Sequence, residues 1–214
     1  MIYKTYDTLL KHYDSQNWWP ADTPFEIMVG AILTQNTSWQ NVTKAINQLK
    51  QYPGNNPLNP QLMYAMTQET LADLIRPSGF YTIKAKRLHN FLEWFNSKDF
   101  DISNLLPIDT QTLRAELLSI NGVGKETADS ILLYALDRPI FVIDAYTRRI
   151  FERLGLQIPK NYDEFQSIFE QSLEHNPKLY NEYHALIVRH AKEYCKTKPL
   201  CNNCFIQYCQ AKRK

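Results

Sequence analysis

No cysteine occurs before residue 195 of this 214-residue chain, and the four present, Cys195, Cys201, Cys204 and Cys209, share one short C-terminal segment. A disulfide framework ties distant parts of a secreted chain together, so this distribution excludes that reading and points to a metal site. An excess of one charge is missing too: 24 Lys and Arg against 22 Asp and Glu leave a formal +2. Affinity for nucleic acid therefore has to come from a local cluster of cations. The opening MIYKTYDTLLKHYDS contains no apolar run of secretory-signal or membrane length. It sets Ile2, Tyr6, Leu9, Leu10 and Tyr13 on one helical face, and the expected location is the cytoplasm, without a membrane partner. Internal repeats, low-complexity tracts and linker-like stretches are also lacking; YPGNNPLNP at 52–60 is a turn-rich connector.

What is present is helical period almost throughout, with 44% hydrophobic residues to fill a core that needs no covalent staple. Only IFVI at 140–143 looks strand-like, and the fold class expected is all-α. Thr23-Pro24-Phe25-Glu26 joins a capping-box pattern to proline at the first helical position, predicting a buried helix to about Thr34. Ser38 is placed to cap the next helix, and PSGF at 77–80 is a tight turn before TIKAKRLHNFLEWF. A helix through Leu117 and Leu118 meets INGVGKE, and a second, ETADSILLYAL, follows directly. Further helices are expected across 145–154, 162–174 and 178–194, the last with Leu179, Tyr183, Leu186, Ile187, His190 and Tyr194 near one face.

In that hairpin Gly122 and Gly124 admit backbone conformations closed to other residues and aim amide N–H groups outward at the start of a helix, with Lys125 adding a charge. The arrangement suits a DNA phosphate gripped without reading a base. A plain glycine turn between packed helices is the alternative, and GxG alone does not choose.

The surrounding motifs do. GVGKETADSILLYAL followed by FVIDAYTRRIFERLG resembles the helix-hairpin-helix (HhH-GPD) DNA glycosylase superfamily, specifically its endonuclease III-like branch. PFEIMVGAILTQNTS matches that family's first core helix, RPSGFYTIKAKRL its middle segment, and HALIVRHAKEYC with the cysteines its C-terminal segment. The resemblance implies a two-lobed fold: a helical barrel over 22–135 that contains the hairpin (about 117–136), and a second lobe of 1–21 with 136–214 carrying a cluster loop at 195–209. Double-stranded DNA with a damaged base would lie across the cleft between the lobes, bound by a monomer associated with the nucleoid.

The family's essential aspartate falls on Asp144 in VIDAY. Breaking an N-glycosidic bond builds positive charge on the sugar, and a fixed carboxylate stabilises it and can orient water. Asp144 also precedes AYTRRIFERL, so a helix N-cap is its structural role, and the two are compatible. Family members that also cut the backbone carry a nucleophilic lysine directly before the Thr-Ala pair; here that position is Glu126. A carboxylate cannot form a Schiff base with the sugar aldehyde. Lys125 is one residue earlier and points about 100° away on a helix, toward phosphate. The resemblance thus implies a monofunctional glycosylase; a bifunctional glycosylase/AP lyase and a non-catalytic hairpin DNA-binding module are the alternatives.

GKETAD, together with WWP, LTQNT and RPSGFY, resembles the 3-methyladenine glycosylases of this branch. By that resemblance the flipped base is held by Trp18 and Trp39, with Trp19 on the same wall. Electron-rich indole faces attract a cationic alkylated purine, whose good leaving ability lowers the need for a general acid. A tryptophan pair is also a common core or helix-end plug. Gln35 and Asn36 occupy the family position that fills the gap left by the flipped base, Asn36 as the plug and Gln35 nearer the pocket. Histidines 12, 89, 175, 184 and 190 show no catalytic spacing, and Tyr146 stands where many relatives have histidine.

C-x5-C-x2-C-x4-C fits either a cubane iron–sulfur cluster or a zinc site. The resemblance favours [4Fe–4S], although both outer loops are one residue shorter than the family's. Lys192, Lys196, Lys198, Lys212, Arg213 and Lys214 make the surroundings basic.

Overall fold

The computed structural model describes the backbone of residues 1–213 and the side chains of 1–211, so Lys214 and the side chains of Lys212 and Arg213 in the basic stretch lie outside the described residues. Among the described residues there is no strand, and the α-helices run α1 Ile2–Tyr13, α2 Pro24–Leu33, α3 Trp39–Gln51, α4 Pro60–Ala65, α5 Gln68–Leu74, α6 Tyr81–Asn96, α7 Thr110–Ser119, α8 Lys125–Ser130, α9 Ala145–Leu154, α10 Tyr162–Ser172 and α11 Pro177–Glu193. No described helix is long and apolar enough to cross a membrane. The chain divides into two compact units, Trp19–Arg138 and Met1–Trp18 with Pro139–Lys214.

The unit Trp19–Arg138 is built round α2, which packs against α3, α6 and α8. Apart from Glu26 in its first turn, its sequence PFEIMVGAIL is apolar on every side, and a helix of that kind has to be enclosed. Thr23 caps it by accepting from the Glu26 amide at 3.1 Å, with Pro24 as its first residue. The Glu26 carboxylate departs from the expected capping box. It accepts from the amide of Asp22 at 3.3 Å and pairs with Lys50 at 2.8 Å, because the α3 lysine competes for it. The C-terminus of α2 is closed by Lys84 of α6, 1% exposed, whose Nζ donates to the carbonyls of Leu33 at 2.8 Å and Ser78 at 2.7 Å. Burial pushes this lysine down to about 8, helped by the nearby Arg87 charge.

Two local expectations change. Ser38 occupies the N-cap of α3 without a side-chain capping bond. ETADSILLYAL is not one regular helix: α8 passes into a π turn over Ile131–Ala135, which packs on α2.

In the other unit α11 packs against α1 and α9, and Phe141, Phe151, Phe165, Phe169, Tyr180 and Tyr183 fill the core. IFVI at 140–143 is buried but does not form a strand. Its polar backbone is satisfied by side chains of α10 instead of a ladder. Phe141 N–H donates to Glu170 at 2.9 Å, the Phe141 carbonyl accepts from Gln166 at 2.7 Å, and Ile143 N–H donates to the Tyr162 hydroxyl at 3.1 Å. With those partners met, four consecutive apolar side chains can bury on all sides at the entrance to α9.

Candidate functional site

In the unit Trp19–Arg138 the hairpin joins α7 to α8. Arg114 of α7 grips the fully buried Asp129 of α8 with two hydrogen bonds, Nε to Oδ1 at 2.6 Å and Nη2 to Oδ2 at 3.1 Å, fixing the angle between the flanking helices. Gly122 has φ 101, and a Cβ there would come within 2.2 Å of the Arg87 side chain, so glycine is required twice over. Arg87 lies across the hairpin and donates to Gln35 Oε1. Gln35 in turn donates from Nε2 to the Gly122 carbonyl and to Thr127 Oγ1, both at 3.0 Å. Asn90 adds a bond to the Asn121 carbonyl at 2.9 Å. The end of α2 and one face of α6 therefore hold the glycine loop in shape.

An open recess in this unit is lined by Gln35, Asn36, Arg87, Gly122, Gly124 and Glu126, among others. Asn36 is exposed and sits at φ 53, a left-handed conformation that asparagine tolerates better than most residues. Glu126 is exposed at the recess, and Lys125, at the first position of α8, is half-buried. Trp19 and Trp39 meet edge to face, with centroids 5.0 Å apart at 89°, and Tyr134 packs on Trp19 at 5.1 Å. Gly30 of α2 lies beneath the Trp19 indole, where a Cβ would come within 3.2 Å. Trp18 belongs to the other unit, half-buried at its edge.

Asp144, 8% exposed, is the N-cap of α9: Oδ1 accepts from Thr147 N–H at 2.7 Å and Thr147 Oγ1 at 2.8 Å. Oδ2 faces His184 Nε2 at 3.6 Å. Burial pushes the carboxyl pKa up, but the His184 contact and the Thr147 bonds outweigh it and hold it below the usual aspartate value, so the group is ionised at neutral pH.

The four cysteines, none in a disulfide, line one cavity together with Ile150, Arg153 and His190. Arg153 of α9 donates to Cys195 Sγ at 3.2 Å and to the carbonyls of Lys196 at 2.6 Å and Thr197 at 3.0 Å. Arg149 donates to the Cys195 carbonyl at 2.8 Å and lies over the Tyr146 ring, 5.1 Å from its centre. Lys192, Lys196 and Lys198 are exposed nearby in the chain. Among the described residues no three Cys, His, Asp or Glu side chains gather round a point that would hold a single metal ion.

Within each unit the structure thus brings predicted residues together: Gln35, Asn36, Gly122, Gly124 and Glu126 at one recess, Trp19 against Trp39, and the four thiols round one cavity. Sequence reasoning missed Arg87, Thr127, Tyr134, Arg114–Asp129 and His184. Thr127 follows the hairpin motif directly and was within reach of motif reading. For the others the sequence offers no local signal, since each is defined by a partner on another element.

The model of the HhH-GPD superfamily base excision DNA repair proteins matches residues 29–175. A protein of Methanocaldococcus jannaschii, provisionally named a DNA repair glycosylase, is 53% identical over 99% of this chain and 97% of its own length. Endonuclease III of Sulfolobus acidocaldarius is 31% identical over 87% of this chain and 81% of its own. The crystal structure of the Helicobacter pylori 3-methyladenine DNA glycosylase bound to 1,N6-ethenoadenine superposes with a TM-score of 0.76 at 32% identity, covering 90% of this chain and 96% of that one. A family match of this extent, with relatives aligned along most of their length, gives one conclusion: the chain belongs to the HhH-GPD superfamily of base excision DNA repair proteins.

Proposed function

We propose that this chain is a monofunctional DNA glycosylase that flips damaged, alkylated purines out of duplex DNA and hydrolyses their N-glycosidic bonds. The observation that carries the reading is the carboxylate of Glu126 at the hairpin recess, where a lyase needs an amine. Likeness to the 3-methyladenine glycosylase supports the substrate class. So does the Trp19–Trp39 pair, because a cationic purine is drawn to indole faces. Asp144, buried yet ionised, is the group suited to face the positive sugar of an oxocarbenium-like transition state. The loop of Gly122 and Gly124 with Lys125 would take a backbone phosphate, and Asn36 would enter the gap left by the flipped base. Gln35 has its amide committed to Arg87, Gly122 and Thr127, so it would shape the pocket wall by fixing the hairpin.

Cys195, Cys201, Cys204 and Cys209 fit a [4Fe–4S] cluster: all four line one cavity and carry no disulfide. Zinc would use the same four thiolates round a single ion and is the alternative, which metal content separates from the cluster. A bound cluster would supply four covalent anchors that order the C-terminal segment. The 31% identity to an endonuclease III keeps the glycosylase/lyase as the second reading.

The test is release of free base from methylated DNA, with strand breaks scored before and after alkali. Release of 3-methyladenine with breaks only after alkali is expected. Breaks before alkali would replace this reading with the lyase, and absence of release from any damaged duplex would leave a DNA-binding module.

A further inference from the structure

We propose that His184 is a positioning residue for the Asp144 carboxylate, its Nε2 holding the oxygen that the helix cap leaves over. The inference rests on the reading of Asp144 as the carboxylate beside the sugar. Both hydrogen bonds from Thr147 fall on Oδ1, and they pin one atom of a group that turns about its Cβ–Cγ bond. A contact on Oδ2 from a different direction adds a second restraint on that rotation, at the oxygen left free to face the sugar. His184 provides it from α11, between the fully buried Tyr183 and the buried Ala185, so the ring is carried by a packed helix and not a loop.

The separation of 3.6 Å is longer than a hydrogen bond, as catalytic contacts often are in a site without substrate, where they tighten only in the complex. Lys192, on the same helix, lies within electrostatic reach of Asp144. An ammonium on a flexible stem adds charge without direction, whereas the imidazole adds direction. Helix packing alone would be served equally well by an aromatic ring without nitrogen, and that difference makes the role testable.

Wild type, His184→Phe, His184→Gln and Asp144→Asn are compared in three measurements. These are single-turnover base release from methylated DNA, affinity for DNA carrying a tetrahydrofuran abasic analogue, and the 15N resonance of the His184 imidazole. His184→Phe is expected to slow release ten- to a hundredfold at unchanged DNA affinity. His184→Gln, which returns an N–H near the Nε2 position, restores the rate to within a few-fold. The Nε2 resonance of wild type shifts when Asp144 is replaced, a readout that needs no turnover. Wild-type rate in His184→Phe, or an Nε2 resonance indifferent to Asp144→Asn, overturns the inference while leaving the glycosylase reading intact. Equal loss in both His184 variants with weaker DNA binding or a lowered melting temperature assigns the residue to packing and also overturns it. A wild-type protein that releases no base removes the glycosylase reading, and the catalytic sense of the inference with it.

Discussion

At the scale of single residues, Asp144 combines a structural and a chemical task by dividing them between its oxygens. Oδ1 is spent on Thr147, so replacing the carboxylate by an amide keeps the cap acceptor while removing the charge. Asp144→Asn is therefore expected to fold and to bind abasic-analogue DNA as wild type does, and to lose at least a thousandfold in single-turnover base release; retention of activity would remove Asp144 from the chemistry. Lys84 makes a different kind of prediction. Lys84→Met leaves the Leu33 and Ser78 carbonyls without their buried donor, a loss of about 2 kcal/mol in urea unfolding. Its pKa, near 8 in the folded chain, lies below the unfolded lysine value, so the unfolded state binds more protons between the two. Wild type should gain stability relative to Lys84→Met as pH rises through that window, and parallel curves for the two proteins would contradict this.

Among elements, the hairpin is braced from outside itself. Arg114 and Asp129 lock α7 to α8, and breaking one side of a buried bidentate pair costs roughly 3–5 kcal/mol. Asp129→Ala should show that loss in denaturant midpoint, whereas a shift under 1 kcal/mol would mean that the pair is solvated. Gly122→Ala must either move Arg87 off the loop or distort it, because the positive φ and the close approach coincide. It is expected to cost about 1–3 kcal/mol and to weaken binding to undamaged duplex, measured together at low salt. The elements show how far the sequence was readable. The N-caps Thr23 and Asp144 lie three residues from the amides they satisfy, so pattern alone located them. Of the two hairpin glycines only Gly122 takes a left-handed backbone, whereas Gly124, expected to need one too, has φ −94 and open space where a Cβ would go. Ser38 had the right residue type at the right place and no capping bond, and the 140–143 run had strand composition without a strand, since side chains of α10 met its backbone first. Local composition states a preference; the nearest available partner decides it.

For the whole molecule, the four thiols set the clearest measurable quantity. Purified protein is expected to carry about four iron and four sulfide per chain, with the brown colour of a [4Fe–4S] cluster, and Cys204→Ser should lose most of it. One zinc per colourless chain would overturn the cluster. The sequence by itself determined the helical class, through a period that only packed helices satisfy. It also determined the chemistry on offer at the hairpin, a glutamate where an amine would be needed, and the gathering of four cysteines within a single short segment. The tertiary structure alone decided that Arg87 lies over Gly122, that Trp19 meets Trp39 and Tyr134, that Lys84 closes α2, and that His184 faces Asp144. The reason is physical: periods and caps act within one or two helical turns of the chain, while these contacts join residues far apart in it, and only the packing of a filled core sets which of them meet.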